Sequence, residues 1–322
     1  MKALICDSFQ GIEGLRVGDL PEPVLEPGSA LIRVEAASVG FADILMVAGQ
    51  YQMRPETPFA PGFEIAGTIE ETRELPGYSV GDRVAAFMWS GGMAEKAVAT
   101  AVNMLPLPDD IPVEVGATLT GGYGTSYHAL VDRAQLREEE TLLVLGAAGG
   151  VGLTAVQLGK ALGARVIAAV SSQEKEEAVL RAGADHVIRY DKTPLRDAVK
   201  TITGGGVDVV FDPVGGEITE QALRSTNWRG RLLVVGFASG SIPDIPLNLS
   251  LVKGNSIVGV FWGRFTAEEP EQSRANNARI LEMVQRGDLT PEIQATFDLD
   301  HAREAFQRVA DRKVIGRVVV RP

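Results

Sequence analysis

The residues best equipped for chemistry stand between positions 141 and 175. The glycine-rich run Gly146-Ala147-Ala148-Gly149-Gly150-Val151-Gly152 directly follows the apolar stretch 141–145. Glycines at 149 and 150 carry no Cβ, so the backbone there can turn tightly and approach a bulky anion. A helix beginning at such a turn offers free N–H groups and the positive end of its dipole, a combination that binds phosphate. Leu153, Val156, Gln157, Ala161 and Leu162 then recur at helical spacing, and 164–170 is a second apolar run. Strand, glycine turn, helix, strand is the order that a dinucleotide site requires. Ala147-x-Gly149-x-x-Gly152 takes the place of the Gly-x-Gly-x-x-Gly fingerprint, with alanine for the first glycine. Ala148, Gly149, Gly150 and Val151 are thus the expected pyrophosphate contacts.

The tip of the second strand selects the cofactor. A site for NAD places Asp or Glu there to accept hydrogen bonds from the ribose hydroxyls. This chain instead continues Ser171-Ser172-Gln173-Glu174-Lys175. Ser171 and Ser172 can donate hydrogen bonds to a 2′-phosphate, and Lys175 can neutralise it. Tyr190, at the end of the next strand, is placed to close the pocket. The expected cofactor is therefore NADPH rather than NADH. The competing reading of Lys175 is a solvated helix lysine beside Glu174 and Glu176.

These residues need a scaffold. Six strand candidates, 141–145, 165–170, 186–190, 207–212, 231–236 and 256–261, alternate with helical segments, which predicts a doubly wound, six-stranded parallel sheet. A helix over 222–228 is expected before the fifth strand, with amphipathic helices at 273–287 and 300–312. The first third reads differently. Short strands at 30–35, 64–69, 83–87 and 94–99 are separated by turns such as Val80-Gly81-Asp82, the pattern of a small barrel-like β domain. The last run, 316–321, looks like those segments, so the C-terminus is expected to fold back onto the first domain. The predicted division is 1–124 for the first part of the β domain, 125–262 for the nucleotide-binding domain and 263–322 for the return.

Bulk properties narrow the classes. Of 322 residues, 45% are hydrophobic, enough for a large core. The net charge of −11 argues against nucleic acid as a partner, because a phosphate backbone needs clustered Lys and Arg. One cysteine, Cys6, excludes an internal disulfide and any multi-cysteine zinc site. Charge interrupts the N-terminal residues too early for a signal peptide, and no apolar run reaches the roughly 20 residues that span a bilayer. A cytoplasmic setting without membrane attachment is the expectation.

Several motifs in register resemble a known family. Phe41-Ala42-Asp43, Gly49-Gln50-Tyr51, Pro61-Gly62-Phe63-Glu64, Gly67, Gly81-Asp82-Arg83-Val84, the run 146–152 and Gly183-Ala184-Asp185 occur in the order found in medium-chain dehydrogenases/reductases. The whole chain is similar to their zinc-independent NADPH:quinone oxidoreductases, the zeta-crystallin-like group. The resemblance implies a GroES-like catalytic domain built from both ends of the chain, with a Rossmann domain inserted, and a homodimer or tetramer in which the sixth Rossmann strand, 256–261, pairs across subunits. It also carries over cofactor contacts by position. Thr125 and Tyr127 would lie near the nicotinamide, Val214 and Gly215 beside the ribose, Phe237 on the nicotinamide half, Phe261 and Trp262 over it, and Arg317 at the domain boundary. For Phe261 and Trp262, packing in the core or a dimer remains an equal alternative.

Zinc-dependent relatives carry Cys, then His-Glu, then a further ligand. Here Gly40 and Phe63-Glu64 stand at the first places, and the third falls near Ala117. Glycine, phenylalanine and alanine cannot bind Zn²⁺, and one carboxylate is not a site. No metal is expected, and His128, His186 and His301 read as surface or core residues. Hydride transfer without a metal suits an acceptor that is already electron-poor, such as a quinone or an α,β-unsaturated carbonyl. Tyr51 is the candidate proton or hydrogen-bond donor to the developing oxygen anion, with ring packing in the β domain as its alternative role. Asp43 reads as a structural acceptor. The expected function is hydride transfer from NADPH to a quinone. The alternatives are reduction of an enone, alkenal or enoyl thioester at C=C, and a non-catalytic NADPH-binding structural or RNA-binding protein.

Overall fold

The computed structural model describes all 322 residues. They form fifteen strands: β1 (Lys2–Cys6), β2 (Leu15–Asp19), β3 (Ser29–Val39), β4 (Glu64–Arg73), β5 (Arg83–Phe87), β6 (Lys96–Thr100), β7 (Met104–Pro106), β8 (Thr141–Val144), β9 (Arg165–Val170), β10 (His186–Arg189), β11 (Val207–Asp212), β12 (Thr226–Val234), β13 (Ser256–Gly259), β14 (Ile293–Asp298) and β15 (Arg317–Arg321). The chain divides into two compact units. One comprises residues 1–121, 266–281 and 291–322, the other 122–265 and 282–290.

The second unit holds a six-stranded sheet in the order β10-β9-β8-β11-β12-β13, every neighbour parallel. The sheet is doubly wound about β8, which lies between β9 and β11. Leu143 pairs with Ile167 on one side and Val210 on the other. A sheet covered on both faces needs continuous apolar runs, as these strands have. Leu143, Ile167, Val210, Leu232, Leu195 and Val199 form one buried cluster. The helix expected at 222–228 is displaced. Helix Glu217–Arg224 ends earlier, and Thr226 already belongs to β12, paired with Val207. Pairing in the sheet prevails there over helical continuation, and it leaves Trp228 71% exposed.

The first unit holds a sheet in the order β14-β15-β3-β4-β5-β7, with β6 also pairing β3, and a separate antiparallel pair β1-β2. This is the β-rich, GroES-like arrangement. β15 pairs antiparallel with β3, Val319 opposite Ser38, so the C-terminus does return to the N-terminal fold. Ala3, Ile5, Ala60 and Ala94 make a small core cluster behind β1. Strands β7 and β14 and one helix lie outside the sequence expectation. Phe41–Val47 is helical, and the Asp43 carboxylate accepts from Gly40 N at 2.8 Å at its start, a side-chain bond that closes the first turn.

Candidate active site

In the second unit the glycine run makes the turn that the sequence demands. Gly146 bends at φ +56°, and a Cβ there would meet Val214 Cγ2 at 2.8 Å. Gly152 is more constrained still: its Cβ would lie 2.3 Å from the Gly146 carbonyl oxygen. The helix Gly150–Ala161 can therefore approach β8 only with glycine at this point. It begins at Gly149 with no side-chain cap, which leaves its first donors available to a ligand. Ala148 is buried below the turn, while Gly149, Gly150 and Val151 are partly accessible.

Beyond β11 the chain is held by Asp212, a residue that no sequence motif singles out. Its Oδ1 accepts from the backbone N–H groups of Val214 (2.8 Å) and Gly215 (2.9 Å), and Oδ2 from the Thr219 hydroxyl at 2.5 Å. Burial pushes this carboxyl up, and the three hydrogen bonds oppose the shift. The turn so fixed sets Val214 against Gly146. It also sets Gly215 against Phe237, whose Cδ1 lies 2.8 Å from where a Cβ on Gly215 would be.

At the tip of β9, three expected residues meet, and the backbone of a fourth lies beside them. Ser172 begins the helix Gln173–Arg181, its hydroxyl accepting from Lys175 N at 3.4 Å. The Lys175 ammonium lies 3.5 Å from the Ser171 hydroxyl. Tyr190 N donates to Val170 O at 3.2 Å, which roots the tyrosine beside the same strand end. Arg189 is there too, but its guanidinium is matched by Asp191 (2.7 Å) and Glu176 (3.5 Å).

Thr125 lies in the helical turn Gly124–Tyr127, between π-helical segments Leu119–Tyr123 and His128–Arg133. Such segments widen a helix and occur often where a chain serves a ligand. Trp262 is 7% exposed and seated on this stretch, with its Nε1 2.8 Å from the position of a Cβ on Gly124. Phe261 and Phe237 are open to solvent, at 45% and 38%. His128 is buried, stacked on Phe265 at 3.9 Å between centroids, and paired with Asp132 at 2.8 Å.

In the first unit, Tyr51 lies half-buried, its ring edge-on to Phe63 at 5.3 Å. Burial and then the nearby Asp43 carboxyl push its phenol up, so it stays protonated at neutral pH. Asp43 is 2% exposed and uses both oxygens on backbone N–H groups, from Gly40 (2.8 Å) and Gly62 (3.0 Å). Arg317 is also inside this unit, and its Nη2 donates to Glu64 Oε1 at 3.0 Å. Glu64 Oε2 accepts from Gly121 N at 2.8 Å. The pair crosses from β15 to β4, and both side chains are over 90% buried. By sequence, Glu64 reads as the remnant of a ligand pair and Arg317 as a cofactor contact. Their mutual pairing has no sequence signal, because 253 residues separate them.

No group of three or more His, Cys, Asp and Glu side chains is placed to hold a metal ion. At the place of a zinc-binding histidine stands Phe63, stacked among other rings.

A parallel dinucleotide-type sheet joined to a GroES-like β unit defines the class of two-unit dehydrogenases and reductases. Residues 26–109 match the alcohol dehydrogenase GroES-like domain, and residues 150–277 the zinc-binding dehydrogenase family. The chain is 38% identical to quinone oxidoreductase-like protein 2 of Bos taurus, over 93% of this chain and 86% of that protein. It is 33% identical to the quinone oxidoreductase of Rattus norvegicus, over 96% and 94%. Among solved structures, the quinone oxidoreductase of Thermus thermophilus, determined also in complex with NADPH, superposes with a TM-score of 0.87 at 35% identity, covering both chains fully. The chain belongs to the quinone oxidoreductase-like family of the medium-chain dehydrogenases/reductases.

Proposed function

We propose that this chain is a zinc-independent reductase that uses NADPH to reduce a quinone. The observation carrying this reading is the composition of the β9 tip: two serine hydroxyls and an ammonium gathered at a helix start, with no carboxylate on the strand end itself. The donor set fits NADPH. The uncapped start of helix Gly150–Ala161 suits the pyrophosphate, and Gly152 permits the close helix approach that keeps those donors in place. Ser171, Ser172 and Lys175 would hold the 2′-phosphate, with Tyr190 beside them. Thr125, Val214, Phe237, Phe261 and Trp262 would line the remainder in the second unit. Arg317, held on Glu64, is kept as a further proposed cofactor contact. When bound, NADPH supplies the hydride.

Tyr51 is assigned the protein's own chemical step. Its O–H would hydrogen-bond the acceptor oxygen and deliver the proton that accompanies hydride in forming a hydroquinone. A phenol kept protonated by burial suits that role. Residues 1–124 and 263–322 are proposed as the acceptor-side domain, and 125–262 as the nucleotide domain.

We also propose a cytoplasmic homodimer. No helix is long and apolar enough to cross a membrane. Strand β13 ends the parallel sheet, and around it Leu251 (81%), Val252 (74%), Trp228 (71%) and Ile257 (40%) are exposed, an apolar edge suited to a second copy.

Stopped-flow oxidation of NADPH by 1,4-benzoquinone and 9,10-phenanthrenequinone, beside an enone and an alkenal, tests the reading. Turnover of the quinones well above the enzyme-free rate is expected. A preference for the alkenes would move the assignment to C=C reduction, and no turnover of any acceptor would remove the enzyme reading.

A further inference from the structure

Tyr51 belongs to a ring cluster in the first unit whose other members the reaction above leaves unused. Phe63 and Phe87 stack nearly parallel, 6.1 Å apart at 12°, and both are buried. Trp89 meets each of them edge-on, at 5.2 Å from Phe87 and 6.4 Å from Phe63. Tyr51 meets Phe63 edge-on as well, at 5.3 Å and 64°. The inner two rings are thus covered, while Tyr51 and Trp89 stay partly open to solvent.

Trp89 is also held firmly. Met88 N donates to Phe63 O at 2.8 Å and Gly91 N to Ala60 O at 2.7 Å, so the backbone is pinned on both sides of the tryptophan. Behind it the chain runs backbone against backbone. Gly62 has φ +109°, and a Cβ there would lie 2.9 Å from Gly92 Cα. With its backbone pinned and its ring packed edge-on against Phe63 and Phe87, the side chain loses little entropy on binding, which is the condition for a preformed recognition surface.

Its chemistry is also open. Tyr51 carries an O–H and Trp89 an indole N–H, and neither has a hydrogen-bond partner in the protein. Buried or half-buried tyrosine and tryptophan ordinarily place these donors on an acceptor. Aromatic walls flanked by two free donors match a flat conjugated molecule with carbonyl oxygens at its edge. A flexible aliphatic acceptor would leave the aromatic surface unused.

We infer that Trp89, adjoining Tyr51 through Phe63, is a wall of the acceptor site and selects fused-ring quinones over single-ring and aliphatic acceptors. The inference rests on the proposed quinone reduction and adds the size class of the acceptor and the residue that sets it.

The test compares wild type with Trp89→Ala and Trp89→Phe. For each, kcat/KM is measured with 9,10-phenanthrenequinone and with 1,4-benzoquinone, and the ratio of the two is taken. Trp89→Ala is expected to lower that ratio about tenfold, chiefly through KM for the larger quinone, and Trp89→Phe to recover most of it. An unchanged ratio in a folded Trp89→Ala protein overturns the inference. If Trp89→Ala fails to fold, Trp89→Leu and Trp89→Phe are compared in the same way: a lower ratio for leucine supports the wall, and equal ratios overturn it. Should the wild type reduce no quinone, the functional reading fails by itself. The wall is then judged by equilibrium dialysis of phenanthrenequinone against wild type and a folded variant without the ring, Trp89→Ala or Trp89→Leu. Weaker binding by the variant supports the wall, and equal binding or none overturns it.

Discussion

At the scale of single residues, charge and proton occupancy carry the argument. Lys175→Glu reverses the one ammonium beside Ser171, so NADPH binding should weaken by roughly 1–3 kcal/mol while NADH binding changes far less. Fluorescence titration with both cofactors measures this, and equal effects would remove the 2′-phosphate from that site. Tyr51→Phe keeps the ring contact with Phe63 and deletes the donor. Turnover should fall with NADPH affinity intact, and an unchanged kcat would reduce Tyr51 to packing. Asp43 offers a further test. Burial raises its carboxyl to about 7 from an ordinary 3.8, aided by Glu64 and opposed by the Gly40 N–H, Arg317 and the Gly62 N–H. Between those values the folded chain keeps a proton that the unfolded chain has lost. Stability from this group is therefore full below about pH 4, falls as pH rises, by at most about 1.4 kcal/mol per unit, and levels off above about pH 7. The difference in unfolding free energy between wild type and Asp43→Asn, followed from about pH 4.5 to 8, should show that slope. A flat difference would contradict it.

At the scale of elements, the Glu64–Arg317 pair ties the last strand to the centre of the β-rich sheet. Both groups are more than 90% buried, so removing one takes from the other its ion-pair partner in a poor solvent. Glu64→Ala should cost about 3–5 kcal/mol, whereas replacing both by apolar residues of similar volume should restore much of it. Urea unfolding of the single and double variants decides; a loss below about 1 kcal/mol in the single variant would mean that water reaches the pair. Strand pairing also explains where an element boundary differs from the sequence expectation. Residues 225–228 favour no state strongly, and Thr226 joins β12 because Val207 is there to pair with it. Helix Phe41–Val47 is short, and its start depends on the Asp43–Gly40 bond, which short-strand periodicity does not reveal.

At the scale of the molecule, net charge and exposed apolar surface set the expected partners. A charge of −11 without a basic stripe gives no electrostatic attraction for RNA, and gel shifts at physiological salt should show none. The apolar edge along β13 is the proposed subunit contact. Ile257→Asp places a charge in it and should shift the species seen by light scattering from dimer toward monomer. A wild type that is monomeric at micromolar concentration would refute the contact itself.

Whatever depends on neighbours along the chain can be read from the order of amino acids alone. Glycine placement, helical and strand periodicity and the serines before Lys175 act within a few residues, so the parallel sheet, its glycine turn and the side chains gathered at the second strand's tip were all legible. The absence of histidine and cysteine at the zinc-ligand places was legible for the same reason. Only the tertiary structure paired Arg317 with Glu64 across 253 residues, set Asp212 under the Val214 turn, and brought Trp89, Phe63 and Tyr51 into one ring cluster. Those contacts arise from strand pairing and from glycine-permitted close approach of distant backbones. Spacing along the chain carries no record of either.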